Sequence, residues 1–260
     1  MSLTSHAVAP VGAEQAGSFV TRYARRKLAK LQKKWTQRAA AFAQWLFSPG
    51  ELAAAQSFRL ELMITSHHRA GLRKIRQDSL QRPGKINLGC GPHSKAGFLN
   101  IDLFPGGDLT LDLRRGLPFE SNCCEFIFSE HFFEHIDYPE PITFLFRECL
   151  RVMRPGGELR FSVPDTEWPL TQYGLGSDAP YFKACDVHGW HPKNCVTRME
   201  HINYHFRQRS EHRFAYDFET AEKALAIAGF VDIRQTGFDP AIDSEHRNVG
   251  SLFVSACKAA

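Results

Sequence analysis

The eighteen residues from Lys85 to Asp102, KINLGCGPHSKAGFLNID, constrain the fold more than any other stretch. A short apolar strand, Ile86-Asn87-Leu88, runs into Gly89-Cys90-Gly91, and a second extended run, Phe98 to Ile101, ends on Asp102. A strand that opens into glycines lets a ligand reach bare backbone where the turn is tightest. A carboxylate at the tip of the next strand can accept from the two hydroxyls of a ribose. The stretch therefore predicts a nucleoside-containing cofactor at the C-terminal edge of a parallel sheet.

Charge divides the chain near Pro83-Gly84. Residues 1–83 carry 14 Lys/Arg against 4 Asp/Glu, whereas residues 84–260 carry 18 against 24. A split this sharp separates a basic N-terminal region, 1–83, from a domain at 84–260. The seven cysteines are odd in number and show no C-x-x-C pairs, which suits reduced thiols in a cytoplasmic protein. No run approaches the ~18–20 apolar residues of a membrane span. Arg25-Arg26-Lys27 is no twin-arginine signal, because Lys30, Lys33, Lys34 and Arg38 stand where its apolar core belongs.

From about Ser18 to Phe47 a helix is expected. Ala24, Leu28, Leu31, Trp35, Ala39, Phe42 and Leu46 form one stripe, and six basic residues lie opposite. Such a helix either packs on its own domain or lies on an acidic glycan or an anionic membrane surface, here the inner face. Nucleic acid is not expected, since no binding module accompanies the charge. Ser48-Pro49-Gly50-Glu51 has capping-box spacing and starts a second helix carrying Leu52, Ala55, Phe58, Leu62 and Met63. His67-His68 reads as surface or cap chemistry.

After Asp102, strands are predicted at Asp108 to Asp112, Cys124 to Ser129, Glu158 to Pro164, Phe230 to Arg234 and Ser251 to Cys257. Helices fall between them from Pro139 to Val152 and from Asp217, an N-cap, to Gly229. Asp112 either meets an adenine amino group, with Leu113 on the ring, or caps a turn. Residues 165–210 break the alternation with dense aromatics and histidines. They form either a packed insertion or the substrate side of a pocket. Strands alternating with helices give an open, mostly parallel α/β sheet covered on both faces.

The order NLGCGP, NID, LDL, LPF, FIFSEHFFEHI, RECLRVMRPGGELRFSVPD and FETAEKALAIAGFVDIR resembles the class I S-adenosylmethionine-dependent methyltransferases of the type-11-like family. It is especially similar to those found near genes for saccharide and envelope assembly. The resemblance covers residues 84–260. It implies a Rossmann-like three-layer sandwich with a seven-stranded, mostly parallel sheet, a reversed last strand and, here, an N-terminal helical extension. It also implies an enzyme that uses S-adenosylmethionine. Asn87, Gly89, Cys90, Gly91 and Pro92 would face the methionine part, Asp102 and Leu103 the ribose, and Asp112 and Leu113 the adenine. Ser129, Glu130 and His131 would line the methyl-transfer side. The chain departs from the family in three places. Asn87 replaces an acid, no third glycine follows, and Gly91 and Asp102 are eleven positions apart, so the usual first helix must be vestigial.

For a hydroxyl acceptor the protein must position the oxygen and remove its proton. Candidate bases are His131 at the strand tip, His135 four residues along the same helix, and His212. The acceptor suggested by the family and by the aromatic insertion is a small molecule or glycan, methylated on oxygen. Three other readings compete. His131-Phe132-Phe133-Glu134-His135 matches the H-x-x-E-H zinc-hydrolase pattern, but its context after a strand argues against it, and no metal ligand is expected. An NAD-dependent oxidoreductase fits poorly, because Ser94 stands in the third glycine position and the acidic residue comes early. An inactive domain that binds cofactor or a partner is the non-enzymatic alternative.

Overall fold

The computed structural model describes residues 45–260. The expected basic helix, apart from its last three positions, lies outside them. The first described element is helix α1, Pro49–Gln77. Its start is fixed reciprocally: Ser48 N–H donates to Glu51 Oε2 (2.8 Å) and Glu51 N–H to Ser48 Oγ (3.3 Å). The stripe expected to be apolar contact is not buried, for Phe58, Leu62 and Met63 are exposed. The buried set is instead Ile64, His68, Gly71 and Ile75, in the second half of the helix. Gly71 lets that half touch the sheet, since a Cβ there would stand 2.4 Å from the Thr110 carbonyl oxygen.

The compact unit from Leu62 to Ala260 holds seven strands. These are β1 (Lys85–Leu88), β2 (Leu99–Asp102), β3 (Leu109–Thr110), β4 (Cys124–Glu130), β5 (Met153–Pro164), β6 (Val231–Thr236) and β7 (Ser251–Cys257). They lie in the order β3-β2-β1-β4-β5-β7-β6. Strands β1 to β5 pair in parallel, and β7 is antiparallel to both β5 and β6. The central register sets Ile86 beside Leu99 on one side and Ile127 on the other. No helix separates β1 from β2, as the short spacing predicts.

Because helices cover both faces, the strands read as apolar runs rather than alternations. Ile86, Leu88, Ile101, Ile127, Leu159 and Val254 are all fully buried. Each such side chain contributes about 1.5–3 kcal/mol of burial. Helix α2, Glu140–Val152, buries Ile142, Leu145, Phe146, Cys149 and Val152, a stripe at helical spacing. Residues 165–210 contain three short helices, α3 (Glu167–Tyr173), α4 (Pro180–His188) and α5 (Arg198–Arg207). They enclose a small core of their own, Ala179, Tyr181, Phe182 and Cys185, flanked by Trp168, Tyr173 and Trp190. The last helix, α6 (Phe218–Ala228), starts where Asp217 accepts from Thr220 N–H (2.8 Å) and ends at left-handed Gly229. Among the described residues no helix is long and apolar enough to cross a membrane.

Candidate active site

The C-terminal edge of the parallel strands carries two adjoining regions. The first is the turn after β1. Gly89 and Gly91 both take positive φ, +64° and +50°. They differ in surroundings: a Cβ on Gly89 would strike the Phe132 ring at 2.4 Å, whereas one on Gly91 would meet nothing within 4 Å. Asp102, half-buried at the tip of β2, accepts from Gly91 N–H (2.8 Å) and Phe104 N–H (2.9 Å). Its carboxylate thus braces both loops and keeps lone pairs at an accessible edge. Pro92 is exposed and Leu103 is half-buried.

Several of the candidate cofactor residues are engaged within the protein. Asn87 is buried and donates to Asn100 Oδ1 (3.0 Å) and His93 O (3.4 Å). Asn100 Oδ1 also accepts from Lys95 N–H (2.7 Å), so this amide pair holds the turn that replaces the missing helix. Cys90 is buried, and burial pushes its thiol up to about 11. Ser129 donates to Leu88 O (3.0 Å). Glu130 accepts from Ser244 N–H and Oγ–H, both at 2.7 Å, with Lys95 Nζ at 3.6 Å.

Asp112 caps the 3-10 turn Leu113–Arg115 and is almost fully buried. Arg114 Nε donates to it at 2.8 Å and Arg115 Nε at 3.2 Å. Burial raises its pKa, but the hydrogen bonds and charge of Arg114, then the charge of Arg115, outweigh that and hold it low. His68 is not a surface residue. Its ring is buried in α1, and Nδ1 accepts from Asp112 N–H (3.2 Å).

The second region is a cavity of about 150 Å³ between the ends of β4 and β5 and the helical insertion. His131, Trp190, Tyr204, His205, His212 and Arg247 are among its walls.

His131 and His135 do not share a helix. His131 ends β4 in a left-handed conformation, φ +50°, and His135 closes a separate 3-10 turn, Phe133–His135. The fully buried Phe133 ring, packed on Phe146 and Phe161, pins that turn. His131 Nδ1 lies 3.0 Å from Arg247 Nη1 and Nε2 lies 2.8 Å from Ser251 Oγ. Arginine only donates, so Nδ1 accepts and Nε2–H donates to Ser251. Burial first, and the Arg247 charge second, drive the His131 pKa well below 6.5. Its lone pair is therefore held by a cation.

His212 is placed differently. Its Nδ1–H donates to His205 O (2.9 Å), which leaves the Nε2 lone pair free. Arg247 and Ser251 are absent from the sequence-derived site, for they lie far along the chain and no local pattern marks them; His205 lies on α5, within the 165–210 stretch expected as either a packed insertion or the substrate side.

Burial also lowers His191 to about 3 and His205 to about 4. Both values lie below the ordinary 6.5 of the unfolded chain. The unfolded state therefore takes up protons that the folded state refuses, beginning near pH 6.5 and continuing toward pH 4. Stability is full above that window and falls within it. Each histidine contributes at most about 1.4 kcal/mol per pH unit, and less in both cases because both rings line the cavity. A thermal midpoint about 5–10 °C lower at pH 5 than at pH 7.5 is expected, with a shallower fall in His205→Asn. An unchanged slope in that variant would show that His205 is not a buried neutral ring.

The strand order, with a reversed β7 lodged between β5 and β6, defines the Rossmann-like fold of class I methyltransferases. Residues 106–161, from the loop before β3 into β5, match the family model described as "Methyltransferase domain". The match covers less than a quarter of the chain and agrees with the resemblance carried by the motif order. No curated protein matches the chain.

Among solved structures, the chain is similar to Haemonchus contortus phosphoethanolamine N-methyltransferase 2 in complex with S-adenosyl-L-methionine. That match has 15% identity and TM-score 0.42, covering 74% of this chain and 53% of that one. An S-adenosylmethionine-dependent methyltransferase from Mesorhizobium loti matches at 18% identity and TM-score 0.40, covering 68% and 91%. One from Archaeoglobus fulgidus matches at 14% identity and TM-score 0.39, covering 74% and 94%. The chain thus spans about half the length of the first of these. All three are remote, so the topology itself is the ground for the fold class.

Proposed function

We propose that this protein is an S-adenosylmethionine-dependent methyltransferase that methylates an oxygen of a saccharide or lipid-linked glycan. The observation that carries the reading is the arrangement along one sheet edge. The glycine turn and Asp102 lie at β1 and β2, and the aromatic and histidine cavity begins at β4, one strand over. A nucleoside on one side and an acceptor on the other would meet near His131.

The residues fit such a cofactor at its ribose end. Open space over Gly91 admits a ligand against the backbone, and the accessible edge of Asp102 suits a pair of hydroxyls. Asp112 does not fit an adenine amino group, because Arg114 and Arg115 occupy its oxygens. When bound, the cofactor supplies a methyl group already activated on a sulfonium. This chain's residues must orient an acceptor and take its proton. Trp190 and Tyr204 offer flat apolar faces to a sugar ring. Because the His131 lone pair is held by Arg247, His212 Nε2 is the available base at the cavity.

Calorimetric titration with S-adenosylmethionine, S-adenosylhomocysteine and NAD tests the reading. Heat from the first two alone is expected. NAD binding alone would overturn it, and silence with all three would favour a domain that has lost its cofactor.

A further inference from the structure

A buried carboxylate sits beside the cavity with nothing to satisfy it. Glu134 is 1% exposed, and neither side-chain oxygen has a hydrogen-bond partner. An ionised carboxylate so placed is costly; burial raises the Glu134 pKa to about 8, so the group calls for either a proton or a bound cation. The Arg247 charge acts favourably on Glu134, but its guanidinium donates to His131, and His131 Nδ1, 3.7 Å from Oε1, carries no proton to give.

Two histidines complete a different arrangement. His135 Nδ1 lies 3.0 Å from Glu211 O, and His212 Nδ1 lies 2.9 Å from His205 O. A carbonyl only accepts, so each Nδ1 carries the proton and each Nε2 keeps a lone pair. His135 Nε2 stands 3.9 Å from Glu134 Oε1. The two rings meet edge-on with centroids 5.1 Å apart. One ligand atom from each of Glu134, His135 and His212 lies within 4.8 Å of the others. Imidazoles whose remaining N–H is fixed by a backbone carbonyl are in the tautomer and orientation that metal ligation needs.

We infer that Glu134, His135 and His212 form a binding site for one divalent first-row transition-metal ion, with an open position toward the cavity. Two imidazoles and a carboxylate suit zinc and its neighbours, whereas magnesium and calcium prefer all-oxygen shells. Ligand bonds of about 2.0–2.2 Å require the three atoms to close by only a fraction of their present spacing. Three protein ligands leave room for a water or a hydroxyl oxygen from the cavity, which His212 lines. This site is not the H-x-x-E-H pattern of the sequence, in which His131 would be a ligand and Glu134 a base. The inference does not depend on the methyl-transfer reading; a bound ion would occupy His212 Nε2, so His212 serves as a free base only in the metal-free protein.

A second cluster, Cys185, His191 and His201, has a similar span. There His191 Nδ1 and His201 Nδ1 are bonded to each other at 2.8 Å, so one lone pair is spent. Burial also pushes the Cys185 thiol up to about 11. That cluster is satisfied without an ion.

The test uses the full chain, freed of metal by a chelator and titrated calorimetrically with Zn²⁺, with Co²⁺ absorption as a second readout. One equivalent is expected to bind and millimolar Mg²⁺ is expected not to compete. Glu134→Gln, which keeps the side chain's shape, and His212→Ala should each weaken binding at least tenfold, and His201→Asn should not. Circular dichroism checks that each variant is folded; if His212→Ala is not, Glu134→Gln decides. No saturable binding by the wild type would overturn the assignment. So would wild-type affinity in Glu134→Gln, or loss in His201→Asn with Glu134→Gln unaffected.

Discussion

Asp243→Ala is expected to destabilise the protein by about 3–5 kcal/mol, the cost of stranding a buried charge. Asp243 and the β5 residue Arg160 have side chains 1% and 9% exposed. Arg160 Nε donates to Asp243 Oδ1 (3.0 Å), and Nη2 pairs with Oδ2. The other donors are used as well, Nη1 on Thr236 Oγ1 (2.9 Å) and Nη2 on Gly237 O (2.8 Å). Asp243 Oδ2 further accepts from Asp239 N–H (2.7 Å).

The pair therefore anchors the start of the segment between β6 and β7. Farther along, that segment lays Ser244 on Glu130 and Arg247 on His131. Truncation leaves a guanidinium in a dry place and frees the segment. A drop in thermal midpoint of about 10 °C should follow, together with weaker binding at the cavity. Replacing both partners by apolar residues, Arg160→Met with Asp243→Leu, should recover much of the loss. Denaturant titration measures both. A loss below about 1 kcal/mol in Asp243→Ala would mean that water reaches the pair.

Asp102→Ala should weaken S-adenosylhomocysteine binding at least a hundredfold. The carboxylate holds Gly91 N–H and Phe104 N–H, so its removal loosens the loops on both sides of the proposed ribose position. It also removes the acceptors that a ribose would use. Hydrogen bonds to a charged group contribute about 1.5–3 kcal/mol each, and two such losses multiply. Asp112→Asn provides the contrast. With its oxygens taken by Arg114 and Arg115, it should change cofactor affinity less than tenfold while lowering stability. Calorimetry on the two variants separates the roles. Equal affinity in Asp102→Ala and the wild type would remove Asp102 from the site.

Much of the fold is legible in the sequence because its signals are local. Cys124 to Ser129 reads as a strand because a doubly covered strand is a mainly apolar run. Asp217 and Gly229 mark both ends of a helix through their own backbone chemistry. The short Gly91 to Asp102 spacing leaves no room for a helix.

The errors arise where tertiary contacts decide. His131 and His135 have helical spacing, but the left-handed turn at His131 and the buried Phe133 ring separate them. His68 is polar in sequence yet is buried where it meets the Asp112 backbone. Helices α3 to α5 are too short for periodicity to show, although Thr197 and Glu200 form a capping box that spacing alone can reveal. Arg247, which fixes the state of His131, is 116 positions away and carries no pattern. Candidate residues at the strand tips are thus readable from sequence, but what each one is bonded to is not.

The two glycines after β1 answer to different pressures. Gly89 lies under the Phe132 ring, so the protein's own packing forbids a side chain there whether or not a ligand binds. Gly91 borders open space, and only its left-handed backbone and an incoming molecule would object to a substituent. If the proposed cofactor site were lost, selection would ease at position 91, down to what its left-handed backbone still demands, and persist in full at position 89.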